Sequence, residues 1–177
     1  MTPSVQVCLL RRHPEITIEG EKRKLDWQVM NLLILIADQG ESEYLRDDLI
    51  RTLYGATPNA RDSFRRKTLY ELRRQLPHDM LEADRNDLVY LRREAIWVDS
   101  LEFAERANAL LNRSLTFNEA DFIAAQDILA LYEEPFLLDY AVGGAAQRDT
   151  PQFSAWMRDR RQELASLYHQ LLDRVTR

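Results

Sequence analysis

The stretch Ser63-Phe-Arg-Arg-Lys-Thr-Leu-Tyr-Glu-Leu-Arg-Arg-Gln-Leu76 decides how the rest of the chain is read. On a wheel at about 100° per residue, Phe64, Leu69, Leu72 and Leu76 point one way. Ser63, Lys67, Tyr70 and Arg74 point the other, with Arg66 and Arg73 on one shoulder. Thr57-Pro58 starts this helix and Pro77 stops it. Residues 58–78 hold six basic residues against two acidic ones. An outward face of cations, an aromatic hydroxyl and a small side chain suits a helix lying in a DNA major groove. Arg and Lys reach phosphates or guanine edges, Tyr donates to phosphate, and Ser lets the backbone come close.

Working outward, the elements fall in a definite order. Val5, Val7 and Leu9 alternate with their neighbours, His13-Pro14 breaks the run, and Ile16 and Ile18 alternate again before a turn at Gly20. With Lys22 to Leu25 as a third short strand, this predicts a small antiparallel sheet. At Asp26, a plausible N-cap, the period changes: Trp27, Met30, Leu33, Ile34 and Ala37 recur at helical spacing, and Leu32, Leu35 and Ile36 widen the stripe. A helix apolar nearly all round belongs at the centre, with Gly40 as its stop. Tyr44 to Tyr54 reads as a second helix ended by Gly55, and the basic helix is the third. Leu81, the polar cluster Asp84-Arg85-Asn86-Asp87, the run Leu88 to Leu91 and then Ile96-Trp97-Val98 predict a hairpin with a polar tip. Strands, three helices and a hairpin in this order make a winged helix-turn-helix, with Arg85 and Asn86 at the tip of the wing. From Asp99 the chain is helical. Asp99-x-x-Glu102 and Thr116-x-x-Glu119 read as capping boxes, and Thr150-Pro151 opens a last helix.

Composition bounds the alternatives. The 177 residues carry a net charge of −5, of which −1 falls on residues 1–99 and −4 on residues 100–177. An acidic chain that concentrates positive charge on one segment is no general coat for nucleic acid or membrane. The longest apolar run, Val29 to Ala37, is too short to span a bilayer. No leader is visible, and the single Cys8 excludes an internal disulfide, both in keeping with a cytoplasmic protein. Five glycines form no phosphate-cradling motif, and no nucleophile elbow or metal-ligand spacing occurs, so neither an enzyme nor a cofactor is expected. His13, His78 and His169 are scattered. Trp27, Trp97 and Trp156 are read as core anchors, Cys8 as a packed side chain, and Phe136 to Tyr140 as a lid over the helical core.

Several lines resemble one family. Val5-Gln-Val-Cys-Leu-Leu-Arg, Glu15-Ile-Thr-Ile-Glu-Gly and Arg23-Lys-Leu resemble the start of the winged-helix domain of the antibiotic regulatory (SARP-like) proteins. Leu69-Tyr-Glu-Leu-Arg-Arg-Gln-Leu-Pro is similar to the end of that family's recognition helix. Trp97-Val-Asp-Ser-Leu-Glu-Phe, Ala130-Leu-Tyr-Glu-Glu-Pro-Phe-Leu-Leu-Asp-Tyr and Trp156-Met-Arg-Asp-Arg-Arg-Gln-Glu-Leu resemble its bacterial transcriptional activator domain. The resemblance implies an α+β chain. Residues 1–98 would be an OmpR-class winged helix-turn-helix and residues 99–177 an all-α, tetratricopeptide-like domain, shortened as in a fragment of a longer regulator. It implies a transcriptional activator that binds double-stranded DNA and recruits RNA polymerase. By position, Arg65, Arg66, Lys67, Tyr70, Arg73 and Arg74 are its DNA contacts, joined by Ser63 and by Arg85 and Asn86 of the wing. The third helix is one residue longer between Phe64 and Leu69 than the family pattern, which places Arg65 near the buried edge of the wheel. A repeat array cut short would leave an apolar face suited to a homodimer. The alternative from another class is a protein–protein adaptor, in which the acidic helical half carries the function and the winged helix is a packing module.

Overall fold

The computed structural model describes residues 3–39, 43–83, 87–113, 117–140 and 149–176. The fold is α+β. Three short strands, β1 (Val5–Cys8), β2 (Glu15–Ile18) and β3 (Glu21–Arg23), form the expected meander. Its inner rows are Val5, Val7, Ile16 and Ile18, all buried. The sheet is mixed rather than purely antiparallel, because Ile96–Val98 (β7) does not continue the hairpin. It crosses over and pairs parallel to β1, giving the order β3-β2-β1-β7. Val98 lies opposite Val7 on the core face. The alternation of a strand therefore turns Trp97 to the outer face, where it is half-buried opposite Gln6 rather than anchoring the core.

The helix α1 (Trp27–Asp38) is capped by the Asp26 carboxylate, which accepts from the Gln28 N–H. Every residue from Val29 to Asp38 is buried, as the all-round apolar pattern requires. Trp27, in its first turn, is only half-buried. The second helix, α2 (Arg46–Tyr54), begins two residues later than the periodicity predicts. Tyr44–Leu45 instead form β4, the third strand of a second sheet of order β4-β6-β5, in which the hairpin is made by β5 (Leu81–Ala83) and β6 (Leu88–Leu91). Gly55 closes α2 with a positive φ of 61°. The basic helix spans residues 60–75 and is not uniform: α3 (Ala60–Ser63) and α4 (Tyr70–Gln75) flank a π-helical segment, Phe64–Leu69.

The second half contains α5 (Asp99–Arg113), α6 (Glu119–Leu129) and the long α7 (Pro151–Thr176). The capping box of α6 is built by Asn118 and Asp121, not by Glu119; Thr116 lies outside the described residues. Asp99 is not spent on a box with Glu102 either. Its carboxylate turns back to the end of β1, accepting from the N–H groups of Leu9 (2.7 Å) and Leu10 (3.0 Å) as well as Ser100. Phe136 to Tyr140 is more than a lid over the helices. Phe136 packs edge-on to Trp156, the one tryptophan that does serve the core, while Leu137 and Asp139 donate to the carbonyls of Leu9 and Arg12. No helix among the described residues is long and apolar enough to cross a membrane.

Burial pushes the Asp99 carboxyl up to about 6, although three backbone N–H bonds oppose the shift. The folded chain thus holds this proton more tightly than the unfolded one. The associated stability is complete below about pH 4 and is lost as pH rises through about 6. In urea titrations, the stability of the wild type relative to Asp99→Asn is expected to fall by about 2–3 kcal/mol between pH 4 and pH 7. A pH-independent difference would show that Asp99 ionises normally.

Candidate nucleic-acid interface

An ideal helix would not present the basic face seen here. At about 100° per residue, Phe64 and Leu69 would lie about 140° apart, with Arg65 between them on the inward side. The π-helical segment removes this conflict. One extra residue in the turn lets Phe64 and Leu69 both reach the core, where they are 0% and 3% exposed, and it swings Arg65 out to solvent. The surplus residue is taken up inward by Thr68, which is buried. Its hydroxyl shares a hydrogen bond with that of Tyr54 at the end of α2. Burial pushes the Tyr54 hydroxyl up, and the bond to Thr68 opposes it.

The resulting surface holds Arg65, Arg66, Lys67, Tyr70, Arg73 and Arg74, all exposed; Ser63 beside them is half-buried. Tyr70 is 59% exposed, one of few large apolar side chains left in water. The cations are loosely held. Arg65 and Arg66 share Asp62 at 3.9 and 4.0 Å, and Arg74 meets Glu71 at 3.2 Å. Among the described residues, no carboxylate pairs with Lys67 or Arg73. Such surface contacts cost little to break, so these side chains can turn to a ligand anion.

Neighbouring elements frame the helix on both flanks. Arg66, Lys67 and Tyr70 border a groove whose other wall is Asp26 and Gln28, at the start of α1. Arg61 and Arg65 border a second groove with Arg46 and Asp47 of α2 and with Asp87 at the end of the hairpin. Arg61 is tied to Asp47 at 2.7 Å and Arg46 to Asp87 at 2.6 Å. Arg73 faces Glu82 and Pro77 at the hairpin base. There, hydrogen bonds from Tyr90 and Arg92 hold the Glu82 carboxyl below its usual range. Arg85 and Asn86 lie outside the described residues. Arg65, expected near the buried edge, is in fact fully part of the face, and Arg61 joins it from outside the expected set. The signal for Arg65 was the one-residue surplus between Phe64 and Leu69.

No metal-binding group of three or more His, Cys, Asp or Glu side chains occurs among the described residues. Cys8 is half-buried, and burial pushes its thiol up.

No family model matches the sequence, and no curated protein is similar to it at the sequence level. Among solved structures, the chain is similar to Mycobacterium tuberculosis EmbR in complex with low affinity phosphopeptide. The identity is 18% and the TM-score 0.64, over 94% of this chain and 44% of that one. The likeness establishes a shared fold, and the chain spans less than half the length of that structure.

If the Tyr54–Thr68 bond holds the widened turn, Thr68→Val should lower stability by about 1 kcal/mol, because a half-buried hydroxyl loses its partner. Adding Tyr54→Phe should cost less than it does alone. Additive losses in thermal denaturation would show that the two hydroxyls act independently.

Proposed function

We propose that the chain is a sequence-specific, DNA-binding transcriptional regulator. Its first half acts as a winged helix-turn-helix, and its second as a tetratricopeptide-like activator module. The observation that carries this reading is the outward cationic and aromatic face of residues 65–74, mounted on a helix whose opposite side is locked into the core. A helix with such a face fits a major groove: guanidinium groups reach guanine edges or phosphates, and Tyr70 donates to phosphate. The hairpin β5–β6 stands beside the same helix, as a wing must to reach the neighbouring groove. The fold shared with EmbR and the family resemblance of the sequence support a regulator of the SARP type. Double-stranded DNA is then the primary partner. RNA polymerase and a second copy of the chain are partners for the helical half, and no catalytic step is involved.

Neutralising four to six phosphates predicts that affinity for duplex DNA falls with salt at a log–log slope of roughly −4 to −5. Fluorescence-anisotropy titration against random duplexes should show this slope. The Lys67→Glu/Arg74→Glu double variant should bind at least tenfold more weakly while melting at the same temperature. A slope near zero, or equal binding by the variant, would transfer the function to the helical half as a protein–protein adaptor.

A further inference from the structure

The widened turn does more than expose Arg65. Arg65, Arg66 and Lys67 are consecutive, yet they border different grooves. Arg65 sits with Arg61 on the flank facing α2 and the hairpin end, whereas Arg66 and Lys67 sit with Tyr70 on the flank facing the start of α1. A regular α-helix would place Arg65 between Phe64 and Leu69 on the core side, and the first flank would lose its charge. We propose that the π-helical segment Phe64–Leu69 is a positioning device that divides these three cations between the two walls of the groove. Arg65 takes a phosphate of one strand, and Lys67 a phosphate of the other. The proposal rests on the DNA-binding reading above and assigns the residues of that face to separate strands.

The geometry favours this division. A helix with its side chains is about 10–12 Å across, and the major groove is about 12 Å wide, so a seated helix faces a phosphate wall on each flank. Side chains on one flank serve one strand only. Contacts to both walls fix the helix's rotation about its own axis, which in turn decides which outward residues meet base edges. Arg65 thus acts on specificity through position, without itself reading a base. Its weak contact to Asp62 leaves it free to extend. Tyr54 and Thr68 hold the turn from the far side.

Strand-resolved phosphate-ethylation interference tests the assignment, using the full chain on a duplex selected from a random pool. Arg65→Ala should abolish interference at one or two phosphates of one strand, and Lys67→Ala at phosphates of the opposite strand. Each change should make the salt slope shallower by about one. Arg65→Lys should restore the lost interference in part, since it keeps the charge on the same flank. Both alanine variants change exposed side chains and are expected to fold normally. Loss of contacts on the same strand by both variants, or an unchanged pattern for Arg65→Ala, overturns the division while leaving DNA binding intact. Failure of the wild-type chain to select any duplex overturns the DNA-binding reading, and the division with it.

Discussion

The structure depends on one constraint: α1 is apolar on every side, and every side must be covered. Ten consecutive residues, Val29 to Asp38, are buried. No single sheet or helix pair can enclose a cylinder of that kind. The chain solves this by surrounding α1 with α2, the basic helix and β6 of the hairpin, and by tying the second half to its polar residues. The two polar residues within the buried run mark where that second half arrives. Asn31 accepts from the Tyr140 hydroxyl at 2.6 Å and donates to Asp149 at 2.9 Å. Asp38 meets Arg160 of α7 at 2.7 Å and accepts from the Ser100 hydroxyl. Burial pushes the Asp38 carboxyl upward, and the charge and hydrogen bonds of Arg160 oppose that shift.

The consequence for function is mechanical. The basic helix leans on α1, and α1 is tied to α7 through Asp38 and Arg160 and to residues 134–140 through Asn31 and Tyr140. Arg161 of α7 holds residues 134–140 in turn by donating to the carbonyls of Phe136 (2.8 Å) and Leu137 (2.7 Å). Thr150, just before α7, donates to the carbonyl of Thr52 in α2. The helical half therefore touches both helices that support the cationic face. The backbone that carries the cationic face is thus held from behind, so the rotation of the basic helix about its own axis is set by the core and not by its side chains.

The sequence makes the core legible and the turns much less so. The alternation of Val5, Val7, Ile16 and Ile18 and the all-round apolar run of α1 announce themselves, because burial imposes a period that survives in one sequence. Long-range pairing leaves no such mark. Ile96–Val98 reads equally well as a hairpin strand or as a partner for β1, and only tertiary context sends it to the latter. The same crossover turns Trp97 outward. Tyr44 and Leu45 carry residues that suit a helix, but the hairpin offers them a strand to pair with. In the basic helix, the face composed of Lys67, Tyr70, Arg73 and Arg74 follows from a wheel. The place of Arg65 does not, because a wheel assumes one pitch throughout, and the surplus residue between Phe64 and Leu69 changes it.

The central claim is that the cationic face of residues 65–74 meets DNA while the helical half supports it from behind. Backbone amide chemical shifts of the labelled chain, followed during titration with a selected duplex, test this most directly. The account predicts the largest changes along residues 63–74 and at the start of α1 near Gln28, with α5, α6 and most of α7 undisturbed. Changes concentrated on α5 to α7, with residues 63–74 unmoved, would contradict it.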